Sequence, residues 1–278
     1  MPLIAEDTGY DYSAGTQFQQ RALDGVSFAV TPGQMLLVIG STGSGKSTLL
    51  RLLAGLLEPV RGKLTIDGVP LRASSTRGTV GLVFQDAESQ LFAETVLDDV
   101  SFGPRNLGTD GSRIEAIARE ALRAVGLDPS AYGARSPFGL SGGEARRVAI
   151  AGVLAMQPRY LLLDEPTAGL DALGRTAVRD AIRGARDGAG VVVVSHSAEE
   201  FLGEADAVLM LSDGAVAFSG TAGEVINDPE TFSRAGLDAP DILKVLHGAR
   251  EAGLDIPRFS LNPRCAAEAL SRAGGWTP

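Results

Sequence analysis

The sequence predicts an α/β fold: a parallel sheet with a helical segment inserted into it, an antiparallel β part beside it and a small helical extension at the end. Three stretches carry that prediction. Met35-Leu36-Leu37-Val38-Ile39 runs apolar into Gly40-Ser41-Thr42-Gly43-Ser44-Gly45-Lys46-Ser47-Thr48 and a helical segment ending near Ala54. Tyr160-Leu161-Leu162-Leu163 runs into Asp164-Glu165, and Val191 to Val194 into Ser195-His196. Short apolar runs of this kind suit strands buried on both faces of a helix-covered parallel sheet, where sites collect at the C-terminal strand ends.

Composition sets the bounds. A chain of 278 residues, 44% of them apolar, can hold one large domain, or one of about 200 residues with an appendage. The formal charge of −9 argues against broad attraction to nucleic acid or anionic lipid, so any membrane contact is expected to run through protein. No apolar run reaches spanning length, and Met1 to Asp7 lacks the basic and apolar regions of a signal peptide. The expected location is the cytoplasm. Cys265 is the single cysteine, which excludes an internal disulfide and reads as a small helix-packing residue. With two histidines, no transition-metal cluster is credible.

Along the chain, Val26, Phe28 and Val30 alternate with Ser27 and Ala29 as a half-buried strand, and Thr31-Pro32-Gly33 turns it. Gly40 to Thr48 is then a P-loop between strand and helix. Its glycines let the backbone wrap a polyphosphate, with successive amides and the helix start facing the anion. Lys46 is placed to reach the β- and γ-phosphates and the Ser47 hydroxyl to ligand Mg²⁺. The flanking strand and helix favour that reading over a ligand-free glycine turn. Upstream, Tyr12 precedes the first strand and is read as stacking on an adenine ring, with simple packing as the alternative.

Gly55 stops the P-loop helix, and Lys63 to Asp67 with Gly68 read as strand and turn. Thr79 to Phe84 is a further strand, and it delivers Gln85. An acidic segment follows: Asp86, Glu88, Glu94, Asp98 and Asp99 precede the next basic residue, Arg105. Ile114, Ile117, Ala118, Ala121, Leu122 and Val125 share one helical face, ended by Gly126. Residues 86 to 156 are therefore expected to form the helical insertion. Behind the next strand, Asp164 would hold Mg²⁺ through water and Glu165 would polarise an attacking water; the alternative is that the pair caps the following helix.

A helix starts near Ala172. His196, directly after a buried strand, is either structural or placed on the same sheet edge as Glu165 and the P-loop. Val208 to Leu211, Ser212-Asp213-Gly214 and Val216 to Phe218 read as a closing hairpin. Beyond about Glu230, Pro240 can start a helix with Ile242, Val245, Leu246 and Ala249 on its apolar face, and Asn262-Pro263 can cap another through Leu270. Two such helices need a partner surface, either the main body or a second copy. The tail from Gly274 to Pro278 is read as mobile.

Leu140-Ser141-Gly142-Gly143-Glu144 decides the family. Ser141 and Glu144 satisfy a capping box, and Gly142 and Gly143 leave amides accessible, so this is a second anion-binding helix start distant from the P-loop. Together with the P-loop, Gln85, Asp164-Glu165, Ala168-Gly169-Leu170-Asp171 and His196, it resembles the ATP-binding cassette (ABC) ATPases over about residues 3 to 228. The resemblance implies a P-loop NTPase core, residues 1–229, with a C-terminal helical extension, 230–278, that can serve dimerisation. It implies ATP and Mg²⁺ as ligands and a head-to-tail dimer, homo- or heterodimeric, in which Ser141 and Gly143 meet the γ-phosphate on the partner's P-loop. It further implies that Gln85 meets Mg²⁺, that His196 contacts the γ-phosphate and that Asp171 crosses the dimer. Glu144 departs from the usual glutamine, and a carboxylate near a triphosphate adds repulsion.

Gln85-Asp86, Gln90 to Val96, Phe102-Gly103-Pro104, Arg146 to Gly152 and Pro240 to Pro257 resemble the energy-coupling factor group of importer ATPases more closely. That group implies a transmembrane coupling protein, a separate substrate-binding membrane protein for a vitamin or transition metal ion, and a peripheral place on the cytoplasmic face of the membrane. The acidic segment would suit an arginine-bearing partner, or is only a solvated face. A conventional ABC transporter ATPase is the alternative. A DNA-repair or ribosome-acting cassette and a small-molecule kinase are disfavoured, by the lack of the expected insertions and by the Leu140 to Glu144 motif respectively.

Overall fold

The computed structural model describes residues 2 to 275; Met1 and the end of the tail, Trp276 to Pro278, lie outside them. The chain opens with strands β1 (Leu3–Tyr12), β2 (Gln20–Val30) and β3 (Met35–Gly40), then helix α1 (Lys46–Leu53). Strands β4 (Arg61–Ile66) and β5 (Val69–Pro70), the short α2 (Ala73–Thr76) and β6 (Val80–Val83) follow. Between β6 and β7 (Tyr160–Asp164) lie α3 (Val96–Asn106), α4 (Gly111–Ala124), α5 (Pro129–Tyr132) and α6 (Gly142–Ala155). The body resumes with α7 (Ala172–Arg186), β8 (Gly190–Ser195), β9 (Ala207–Ser212) and β10 (Ala215–Thr221). Helices α8 (Ala222–Asn227), α9 (Glu230–Arg234), α10 (Asp241–Glu251) and α11 (Pro263–Ala273) complete it.

Among the described residues ten strands join in the order β5-β4-β1-β2-β10-β9-β3-β8-β7-β6. From β9 to β6 all pairs are parallel, while β5, β4, β1 and β2 pair antiparallel and β10 returns antiparallel on β9. Strand alternation divides the interior in two. Leu37, Ile39, Leu161, Leu163, Val191 and Val193 point into a core shared with α4, α6, α7 and the C-terminal helices. Their neighbours Leu36, Val38, Leu162, Val192 and Val194 point into a second core around α1 and the antiparallel strands. Helix α1 is thus held between two layers of sheet, with Leu49, Leu50, Leu52 and Leu53 buried.

Three elements differ from the sequence reading, and Cys265, expected to pack a helix, is exposed. Tyr10 and Tyr12 lie inside the first strand, because β1 extends to Tyr12 through a bulge at Asp7, whose φ of 45° interrupts the alternation. On α10 the buried positions are Leu243 and Leu246, while Val245 is exposed, so the apolar stripe is rotated from the expected one. Helix α11 runs three residues past Leu270, to Ala273. Leu243, Leu246, Phe259 and Ala266 join the core of Phe201, Val225 and Phe232, so these helices cover their own chain. Among the described residues no helix is long and apolar enough to cross a membrane.

Candidate functional site

Four connections leave the C-terminal ends of adjacent parallel strands: the P-loop from β3, Gln85 beyond β6, Asp164-Glu165 at the end of β7 and His196 just after β8. The sheet brings together what the sequence spaces over 157 residues, from Gly40 to His196. Gly45 shows why the loop needs glycine. Its φ of 99° is left-handed, and a Cβ there would sit 2.5 Å from the Ala22 carbonyl. Gly43, with φ 84°, opens the lip formed with exposed Ser41 and Thr42.

Lys46 is buried and curls back over the loop, its Nζ donating to the carbonyls of Gly40 (2.7 Å) and Ser41 (2.8 Å). Burial lowers its pKa, and Glu165 and Asp164 act in the opposite direction. The Ser44 hydroxyl is buried with no protein partner inside the loop, as expected of a group shaped for an anion. Ser47 and the Asp164 carboxylate line one pocket of about 310 Å³ with Arg51, Gln85 and Asp86. Tyr12 reaches α1 from β1: its hydroxyl lies 3.2 Å from the Thr48 hydroxyl and accepts from Arg51 (3.3 Å), and Tyr10 packs edge-on against it.

The two carboxylates differ in their surroundings. Asp164 is buried, which raises its pKa, opposed by the nearby Ser47 hydroxyl and by Lys46. Glu165 sits at φ 49°, a strained conformation for a non-glycine residue, and its Oε1 is buried without a hydrogen-bond partner. Burial raises it to about 7, with the negative charge of Asp164 adding to the shift and the His196 amide opposing it. His196 Nε2 stands 3.6 Å from Glu165 Oε1, and burial followed by the Lys46 charge lowers the imidazole pKa. The Asp164-Glu165 pair does not cap α7. Asp171 does, accepting from the Gly174 amide at 2.7 Å.

Ser141, Gly142 and Gly143 stand apart from this cluster, at the start of α6. Ser141 is the N-cap, and its amide and hydroxyl both donate to Glu144 Oε2 at 2.8 Å. Tyr132, on α5, donates to the other oxygen at 2.7 Å. The Tyr132 and Ser141 hydrogen bonds hold the Glu144 carboxyl down to about 2. Its charge is therefore spoken for by three donors, which blunts the repulsion expected of a glutamate at this position.

Two residues escape the sequence reading. The Arg146 guanidinium is buried and donates to the backbone carbonyls of Gln85, Glu165 and Ala168 at once, joining three connections of the site. Tyr132 is the other, 12 residues before the glutamate it holds. An arginine on the otherwise apolar buried face of α6 was the available signal for the first; nothing local marks the second.

The geometry defines a P-loop nucleotide-binding protein with a second, separate anion-facing helix start. The comparisons make this specific. Residues 23–168 match the family model described as ABC transporter. The energy-coupling factor transporter ATP-binding protein EcfA2 of Symbiobacterium thermophilum is 47% identical over 92% of this chain and 91% of its own length. The protein of that name in Clostridium acetobutylicum is 41% identical over 98% of both. A solved structure of cbiO1 from Clostridium perfringens, part of the ABC transporter complex cbiONQ, superposes with a TM-score of 0.73 at 32% identity, covering 88% of this chain and 98% of that one. The cassette MJ0796, solved as a dimer in a post-hydrolysis state bound to ADP and Pi, gives 0.71 at 28% identity, over 80% and 99%. The chain belongs to the ABC transporter family, among its energy-coupling factor ATP-binding proteins.

Proposed function

We propose that the chain is the ATP-hydrolysing subunit of an energy-coupling factor importer, which powers uptake of a vitamin or transition metal ion by way of a membrane coupling protein. One observation carries the chemistry: Glu165, its carboxyl raised to about 7 and one oxygen left without a hydrogen bond, stands on the same sheet edge as Lys46, Asp164 and His196. The orphaned Ser44 hydroxyl, the curled Lys46 and the Ser47–Asp164 pair fit a magnesium-bound triphosphate. Ser47, Gln85 and, through water, Asp164 would hold Mg²⁺, which would supply neutralisation of the phosphate charge.

The backbone of Gly40 to Thr48 holds the phosphates, Lys46 moves from its two carbonyls to the β- and γ-oxygens, and the Tyr12 ring flanks the base. Glu165 accepts the proton of the attacking water, and His196, held beside it, donates toward the γ-phosphate. Ser141 to Gly143 have no partner for their exposed face within their own chain's nucleotide cluster, which supports their use across a dimer with a second ABC ATPase, identical or not. Residues 1–229 would form the ATPase domain, with residues 86–156 as its helical subdomain, and 230–278 an extension.

Docking to the membrane would use the exposed aromatic pair Phe92 and Phe102, packed edge-on at 4.7 Å, with the exposed acids Glu94 and Asp98 close to them in the chain. The side chain of Glu88 lies outside the described residues. The acids and aromatics favour an apolar, arginine-bearing protein helix over nucleic acid, and would place the chain peripherally on the cytoplasmic membrane face. The test is affinity purification of the chain from detergent-solubilised native membranes with mass-spectrometric identification of what accompanies it. A small coupling membrane protein and a substrate-binding membrane protein are the expected companions. Recovery of the paired permease subunits of a conventional ABC transporter would replace the energy-coupling reading, and ribosomal or DNA-associated proteins would overturn transport altogether.

A further inference from the structure

We propose that Glu230, His247 and Glu251 form a binding site for a divalent transition-metal cation of the Zn²⁺ class, which clasps α9 to α10. Counting histidines argued against a metal site, and a cluster built from histidines is indeed out of reach of two residues. The fold instead sets one imidazole between carboxylates from two helices. His247 Nε2 lies 3.6 Å from Glu230 Oε1 and 3.7 Å from Glu251 Oε1, and one ligand atom from each residue lies within 4.8 Å of the others.

Those spacings exceed a hydrogen bond and approach the edge of a metal polyhedron. Bonds of about 2.0–2.1 Å in tetrahedral geometry put neighbouring ligand atoms about 3.4 Å apart, so a contraction of a few tenths of an ångström closes the two histidine edges, and the exposed Glu230 and Glu251 side chains swing together to close the third. The surroundings leave these atoms free for that use. Arg234 approaches the other oxygen of Glu230, at 3.6 Å from Oε2. Arg250, the nearest cation on α10, is turned away: it lies over the Phe259 ring and donates to the Ile256 carbonyl. Phe259 also walls the imidazole edge-on, 6.4 Å between centroids. His247 and Glu251 are one turn apart on α10, whose Leu243 and Leu246 anchor it in the core, so two of the three ligands stand on a fixed element. An imidazole with two carboxylates is a borderline donor set suited to Zn²⁺ and its neighbours rather than to Ca²⁺ or Mg²⁺, and water would complete the shell.

The position gives the clasp a consequence. The chain between α9 and α10, Gly236 to Pro240, lines a cleft of about 480 Å³ together with Gly40, Ser41 and His196. A cation joining the two helices fixes the segment that borders the P-loop, and connects metal status to the shape of the nucleotide cleft.

The test is isothermal titration of the full chain with Zn²⁺ in saturating Mg²⁺ and ADP, which keeps the carboxylates of the nucleotide site engaged. One Zn²⁺ per chain is expected, weakened by at least ~10-fold in His247→Ala and in Glu230→Gln, and unchanged in His196→Ala. Melting in chelator checks that each variant is folded, and His247→Gln, which keeps the bulk, replaces the alanine if it is not. Zn²⁺ should raise the melting temperature of the wild type and not of the His247 variant. Zn²⁺ affinity indifferent to both His247 and Glu230, or no binding below millimolar Zn²⁺, would overturn the proposal and leave an ion-pair cluster.

Discussion

At the scale of the residue, Glu165 is the most informative group. Its carboxyl is raised to about 7, so it is protonated below that pH and ionised above it. A general base works only when ionised, so kcat/KM, which reports the free enzyme, should rise as pH rises through about 7. Glu165→Gln should lower turnover by ~10²–10⁴ while ATP is still bound, and should flatten that pH dependence. Turnover at the wild-type rate would remove Glu165 from the role. Tyr132→Phe asks a different question: losing one donor to the Glu144 carboxylate should cost about 1 kcal/mol in urea unfolding and raise the Glu144 pKa from about 2. A carboxyl titration unchanged by the substitution would show that the hydrogen bond does not hold the charge. The P-loop, Gln85, Asp164-Glu165 and His196 were legible in the sequence because each follows an apolar run, and Ser141 because its capping box with Glu144 is local. Arg146 and Tyr132 were not, because their meaning lies in partners 12 to 61 residues away.

At the scale of the element, what is local was readable and what depends on neighbours was not. Strands β3, β7 and β8 and helix α4 announce themselves by apolar periodicity, whereas β1 hides behind a bulge and the one-turn helices α2 and α5 are too short to have a period. The buried face of α10 was misread because Val245 and Leu243 are equally apolar, and only the position of the core decides between them. Leu246→Ala should therefore cost about 2–5 kcal/mol in denaturant unfolding, against a negligible effect for Val245→Ala. The acidic segment also separates into parts. Asp99 Oδ2 accepts from the Phe92 and Ala93 amides, both at 2.9 Å, and so shapes the loop, while Glu94 and Asp98 are exposed at its rim. Charge reversal at Glu94 and Asp98 should weaken co-purification with the membrane partner and leave basal hydrolysis intact. Reversal at Asp99 should also lower stability, which a thermal melt separates from docking.

At the scale of the whole molecule, the sheet order is what the sequence least reveals. Nothing local says that β3 lies between β8 and β9, or that the first two strands fold over α1, since both depend on which buried faces find each other. That order nevertheless makes the site, by bringing four strand ends side by side. The dimer is the next level: Glu165→Gln with ATP should sediment as a dimer and the ATP-free chain as a smaller species, and persistent monomers under ATP would count against Ser141 serving a partner. The division of the interior into two cores has a further consequence for how this chain can change in length. Because Leu37 and Ile39 feed one core and Leu36 and Val38 the other, the strand counts in twos. Losing one codon inside β3, β7 or β8 would exchange every inward and outward side chain beyond it, and would misplace the loop that follows. Losing one between Ser13 and Gln19, in the exposed connection of β1 and β2, leaves the parity of the central strands untouched.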